Sequence, residues 1–244
     1  MDESEYHTLI EGLPNDNSLD GLIVRRVYAQ VFRANFSAPG VALLSFQERI
    51  PFQTLRSVMW SLKNALDALH QKKTGKHLVY LSMGRFDSQV TTKFHLDGAP
   101  DEAFLMLGYE STPIQSELAI ADYSHAAHDW KIMPQELLTV FNPMLADNEK
   151  RLLPYITKLA AFNPAQSHIL LLNNSSLPYL ENSQNMLGVM HQATITPDSQ
   201  ARRIINSTMI STAANSEDEP MNTNVQKQFL ETNEITGSLG MLSN

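Results

Sequence analysis

The spacing of apolar residues changes along the chain, and the changes mark out its elements. Residues 1–20 are polar and poorly patterned, and Leu22–Phe36 mixes apolar and basic residues in a way that suits a helix or a strand equally. After the turn-forming run Ser37-Ala-Pro-Gly40, Val41–Phe46 has the length and composition of a buried strand. Leu55, Val58, Met59, Leu62, Leu66 and Leu69 then recur at intervals of three and four. That spacing predicts an amphipathic helix, opened near Pro51 and stopped by the basic, glycine-ended run Gln71-Lys-Lys-Thr-Gly75.

From His77 the period falls to two, through His77–Met83, Phe86–Leu96 and Glu102–Tyr109. Residues 122–162 have helical character and read as an insertion, with helix starts at Pro134 and Asn148. Strand-like spacing resumes over Ser167–Leu172, Met186–Thr196 and Arg202–Ile210. Beyond it large apolar residues become sparse, so residues 212–244 are expected to form a polar tail, mobile or loosely wrapped on the surface. There is no internal repeat. Residues 1–211 are expected to form one domain, a mainly β sandwich or barrel with flanking helices, in the α+β class.

Composition narrows the classes of function. A chain of 244 residues, 43% of them hydrophobic, can bury one sizeable core. The net charge of −8, from 26 acidic against 18 basic residues, argues against a phosphate-tracking surface, so nucleic acid is not an expected partner. No stretch approaches the roughly 18 apolar residues of a membrane span, and the acidic start MDESEYHTLIEG is unlike a secretory leader. A soluble, cytoplasmic protein without membrane contact is expected, and a homo-oligomer is compatible with that reading. The absence of cysteine rules out disulfides, thiolate metal sites and cysteine nucleophiles, so a bound metal would rely on His, Asp and Glu.

The most informative motif is Phe94-His95-Leu96-Asp97-Gly98. In an extended strand residues two apart point to the same side, so His95 and Asp97 would present an imidazole and a carboxylate together. His191 lies in a later strand-like segment, and antiparallel folds bring such distant strands side by side. Two histidines and one carboxylate on one face leave positions open on an octahedral Fe(II) for a chelating 2-oxo acid and dioxygen. The distal carboxylate of 2-oxoglutarate needs a charge-assisted partner, for which arginine is the best match. Arg202 and Arg203 open a strand-like run, alternation lets one of them face inward, and spacing does not choose between them.

These residues resemble the Fe(II)- and 2-oxoglutarate-dependent dioxygenase superfamily, in its HxD, distal His and Arg pattern. The run Ala201-Arg-Arg-Ile-Ile-Asn-Ser-Thr-Met-Ile210 is similar to the end of the core in the taurine dioxygenase branch. The resemblance implies a double-stranded β-helix, a cupin-like jelly roll. It implies His95, Asp97 and His191 as ligands of Fe(II), 2-oxoglutarate and O2 as co-substrates, and Arg203 rather than Arg202 as the carboxylate partner. Ser207 stands where that branch has a sulfonate-gripping arginine, which speaks against a sulfonated substrate. Asp97, in place of Gly or Ala, implies hydroxylation or desaturation rather than halogenation. The expected substrate is a small metabolite or an amino-acid-like molecule.

Other residues carry weaker signals. Thr91 and Lys93 share the parity of His95 in a regular strand, so they are candidates for ligand contact, Thr91 for the co-substrate. Asp122, His125 and His128 are spaced three apart and could offer a second metal site on a helix, although a polar helix face explains them more simply. Asn173 and Asn174 could bond a ligand or serve a turn. Leu105, Met106, Met186, Leu187 and Met190 read as core. The alternatives to the dioxygenase reading are a metal-dependent cupin enzyme without an oxo acid and a non-enzymatic jelly-roll binding protein.

Overall fold

The computed structural model describes residues 2–140, 150–177 and 186–239. Two sheets of an α+β fold face each other across an apolar layer. The larger sheet contains β1 (His7–Ile10), β2 (Val41–Phe46), β3 (His77–Asp87), β4 (Ala103–Tyr109), β7 (His168–Asn173), β9 (Ile204–Ala213) and β10 (Thr236–Leu239). They are ordered β1-β2-β7-β4-β9-β3-β10, and all pairs are antiparallel except β1 with β2. The smaller sheet is ordered β6-β5-β8, from β5 (Ser116–Ala121), β6 (Ile156–Lys158) and β8 (Met190–Ile195). Besides the short α1 (Glu3–Tyr6), helices α2 (Gly21–Val31) and α3 (Phe52–Thr74) pack on the outer face of the larger sheet.

Covering both faces of the larger sheet explains why its central strands read as unbroken apolar runs. Along β4, Phe104 and Met106 join the core under the helices, whereas Leu105, Leu107 and Tyr109 face the smaller sheet. The period of two expected for Glu102–Tyr109 is therefore replaced by continuous burial. Helix α3 buries Leu55, Val58, Met59, Leu62 and Leu66 and ends as its glycine predicts, with Gly75 left-handed at φ 77° and its N–H on the Gln71 carbonyl. Leu22–Phe36 resolves as α2 and the turn after it, capped by Asp20.

Two boundaries differ from expectation. β3 runs unbroken from His77 to Asp87, with a bulge at Leu81, but there the ladder stops. Residues 88–94 continue without one, and His95 rejoins the smaller sheet through a single bridge to His191. The helical insertion is partly strand: after α4 (Tyr123–Asp129) and α5 (Pro134–Val140), β6 pairs with β5. The helix start expected at Asn148 lies outside the described residues, although 150–152 are helical.

Residues 212–239 are not a loose tail. Helix α6 (Thr223–Glu231) packs against α3 and β3, Phe229 is 2% exposed, and β10 pairs with β3. Met221, Val225 and Phe229 supply this with one apolar residue every fourth position, enough for a narrow stripe in an otherwise polar segment. Glu219 accepts a bond from the Tyr80 N–H at 2.8 Å and pairs with Lys63 at 3.5 Å, while Arg56 and Arg85 donate to the Thr232 and Asn233 carbonyls. Among the described residues no helix is long and apolar enough to cross a membrane.

Candidate metal centre

His95 and His191 face each other on adjacent chain segments, each donating its backbone N–H to the other's carbonyl at 3.1 Å. This pairing sets their imidazoles 4.2 Å apart, centroid to centroid. Two residues on, the Asp97 carboxylate lies 3.6 Å from His95 Nε2. One ligand atom from each of the three fits within a span of 4.8 Å, the only group of three such residues found among the described residues. The convergence expected from HxD and a distal His is therefore present, although His95 sits on an isolated bridge rather than in a regular strand.

Hydrogen bonds orient the donors. His95 Nδ1–H donates to the Lys93 carbonyl at 2.6 Å, which fixes the tautomer and leaves the Nε2 lone pair towards Asp97. His191 Nδ1 is buried without a hydrogen-bond partner. Burial, and then the neighbouring His95, lower the His191 pKa to about 4, so its ring is neutral at pH 7. The neighbouring Asp97 carboxylate raises the pKa of His95 against the pull of burial. For Asp97 burial would raise the pKa, but His95 and His191 together outweigh it and lower it. A divalent cation among these three donors would be balanced by the Asp97 carboxylate.

Two further residues hold this arrangement. Asn174, on the segment after β7, clasps the main chain of Asp97: its Oδ1 accepts the Asp97 N–H at 3.0 Å and its Nδ2 donates to the Asp97 carbonyl at 2.9 Å. The buried Arg33 grips the Asp122 carboxylate through two bonds of 2.6 and 2.7 Å and donates to the carbonyls of Leu187 and Gly188 just before β8. Gly188 has no room for a Cβ, which would strike the Ser175 carbonyl. Sequence reasoning left Asn174 between ligand and turn and missed Arg33, whose only signal was a basic residue in an apolar segment.

A cavity of about 530 Å³ opens beside the three residues, between the sheets. His95, Asp97, His191 and Arg203 all line it. Arg203 is 2% exposed, and its guanidinium stacks 5.2 Å from the Tyr109 ring centre. Nη1 donates to the Ser88 carbonyl at 3.0 Å and Nε to Ser116 Oγ at 3.4 Å, but Nη2 is buried without a partner. Burial lowers its pKa, with the Tyr109 side chain opposing; an arginine stays charged under such a pull. Arg202 points outward, its side chain 72% exposed and 3.9 Å from Asp87.

Other candidates do not join the site. Thr91 does not line the cavity: its hydroxyl is spent on the Ile195 backbone, accepting at 3.0 Å and donating at 3.3 Å. The parity that pointed to Thr91 and Lys93 fails because the β3 ladder ends at Asp87, and Thr92 lines the wall instead. Asp122 is held by Arg33 and caps α4, while His125 and His128 lie against Phe36 and beside Asp129. Leu105, Met106, Met186, Leu187 and Met190 are buried, and Leu105 also lines the cavity.

No family model and no curated protein matches this sequence. Among solved structures the chain is similar to AAD-2 in complex with Mn(II) and N-oxalylglycine, at 10% identity and a TM-score of 0.44, over 87% of this chain and 96% of that one. It is also similar to a Burkholderia xenovorans protein provisionally described as an alpha-ketoglutarate dependent 2,4-D dioxygenase, at 12% identity and a TM-score of 0.36, over 84% and 93% of the two chains. Similarity at this level assigns no function, and the reading below rests on this chain's own geometry.

Proposed function

We propose that this chain is an Fe(II)- and 2-oxoglutarate-dependent dioxygenase that hydroxylates or desaturates a small organic substrate, built on a double-stranded β-helix of the cupin-like jelly-roll kind. The observation that carries the reading is one cavity lined both by the His95, Asp97 and His191 cluster and by the buried, incompletely partnered guanidinium of Arg203. A buried histidine nitrogen and a buried guanidinium nitrogen without a partner each cost free energy that a ligand would recover; Arg56 and His70 carry such nitrogens elsewhere, so what marks His191 and Arg203 is that they line one cavity with His95 and Asp97.

The residues fit the cofactor set. Two neutral imidazole nitrogens and one carboxylate are the donors of a facial Fe(II) site. Asn174 would hold the Asp97 main chain in place, and the Lys93 carbonyl would hold the His95 tautomer. Arg203 would receive the distal carboxylate of 2-oxoglutarate through Nη2, over the Tyr109 ring. When bound, Fe(II) with 2-oxoglutarate supplies the activation of O2 and yields succinate and CO2 as co-products. The protein's share is to hold, orient and exclude water, and the apolar wall of Leu105, Leu107, Ile205 and Met209 serves the last of these.

Succinate formation from 2-oxoglutarate in air, with and without added Fe(II), tests the reading. Iron-dependent succinate release that is lost in His95→Ala supports it. Iron binding with no succinate in the presence of diverse small molecules would favour a cupin enzyme that binds its substrate directly.

A further inference from the structure

The cavity wall also carries information about charge. Strand register builds its floor from three neighbouring strands: Phe86, Ile205 and Tyr109 lie in one row, Gly84, Ser207 and Leu107 in the next. Ser82, Met209 and Leu105 form the third row. Among the described residues Arg203 is the only arginine or lysine in the wall. The remaining ionisable lining groups are the three candidate metal ligands, Asp87 and Tyr109, whose hydroxyl burial pushes up to about 12 and so keeps neutral. One oxygen of Asp87 already accepts the Arg203 main-chain N–H at 3.1 Å, and the other lies 3.9 Å from Arg202 Nε.

We infer that the substrate of this site is uncharged and largely apolar, seated on Leu105, Ile205 and Met209 and offering at most hydroxyl, carbonyl or amide groups to Ser82 and Ser207. The inference rests on the reading that 2-oxoglutarate occupies Arg203. Once it does, no lining arginine or lysine remains among the described residues for a second carboxylate, and a buried anion without a partner is strongly disfavoured. An amino-acid zwitterion is disfavoured for the same reason, which narrows the substrate class expected from the sequence. Val90, 69% exposed at the cavity edge, extends the apolar surface outward to where such a molecule would enter.

The test compares two isosteric probes, phenylacetamide and phenylacetate, by calorimetric titration of the full chain with Mn(II) in place of Fe(II), so that no turnover occurs. With 2-oxoglutarate saturating, phenylacetamide is expected to bind at least about tenfold more tightly than phenylacetate. Without 2-oxoglutarate, phenylacetate is expected to recover affinity, because Arg203 is then open to it. In Ser82→Lys, which adds a cation to the floor, phenylacetate is expected to gain affinity in the presence of 2-oxoglutarate. Phenylacetate binding as tightly as the amide in the loaded wild-type protein, or no binding of the amide, would overturn the inference while leaving the dioxygenase reading intact. Failure of 2-oxoglutarate itself to bind in the same titrations would instead remove the reading on which the inference stands.

Discussion

The carboxamide of Asn174 closes on both polar groups of the Asp97 main chain, at 3.0 Å to its N–H and 2.9 Å to its carbonyl. A residue 77 positions away thus sets the height of the only carboxylate in the candidate metal cluster. Asn174→Ala is expected to weaken metal binding by about 10- to 100-fold without unfolding the protein. Asn174→Asp, which keeps an acceptor for the Asp97 N–H but loses the donor, is expected to fall between. Metal titration with circular dichroism as the control for fold checks both.

His95→Ala and Asp97→Ala are each expected to abolish tight Fe(II) retention with the fold kept, since each removes one of three donors from a part-exposed site. Iron content after gel filtration measures this. Unchanged iron in both variants would remove the proposed centre.

Arg203 and Arg202 are adjacent in sequence and opposite in exposure. Arg203→Ala is expected to raise the half-saturating 2-oxoglutarate concentration by on the order of 10- to 100-fold, the loss of a buried charge-assisted bond. Arg202→Ala is expected to change it less than about twofold, as for an exposed charge. The reverse ranking would mean that the co-substrate lies elsewhere.

This pair shows what the sequence made legible and where it stopped. The HxD motif could be found because a spacing of two is local, His191 because it is a histidine in a later strand-like run, and Arg203 could be narrowed to one of two neighbours. Choosing between them by physics needed the cross-strand register that sets Ile205 beside Phe86 and Tyr109 and so turns Arg203 inward. Thr91 was misplaced because parity was counted back from His95 through residues 88–94, which carry no strand ladder. Asn174 and Arg33 were illegible as positioning residues, since their partners lie far away in sequence. The final segment was misread because Met221, Val225 and Phe229 are too sparse to raise mean hydropathy, yet Met221 just before α6 and Val225 and Phe229 on it pack against the same core.

Phe229→Ala is therefore expected to destabilise the fold by about 3–5 kcal/mol, the usual range for a buried phenylalanine. Urea unfolding measures it. A change within about 0.5 kcal/mol would mean that residues 223–231 do not belong to the core.

Acid sensitivity should have a structural source outside the metal cluster. His70 and His168 are buried, and desolvation lowers both pKa values to about 4. His168 lies against Ser45 Oγ at 2.8 Å, and His70 against the Tyr28 hydroxyl at 3.0 Å. Between about pH 6.5 and pH 4 the unfolded chain takes up protons that the folded chain refuses, so stability falls as the pH falls through that window. Each histidine contributes up to about 3 kcal/mol of this loss. Denaturant unfolding at stepped pH should show the slope, and His168→Gln should reduce it; an unchanged slope would mean that His168 is not buried in its neutral form.

The most direct measurement is an anaerobic titration of the metal-free protein with Fe(II) and then 2-oxoglutarate, followed in the visible range. A weak charge-transfer band is expected on addition of the oxo acid, absent with Fe(II) alone and absent in His191→Ala. Tight iron binding with no band would contradict co-substrate chelation at this site, and no iron binding at all would contradict the metal centre itself.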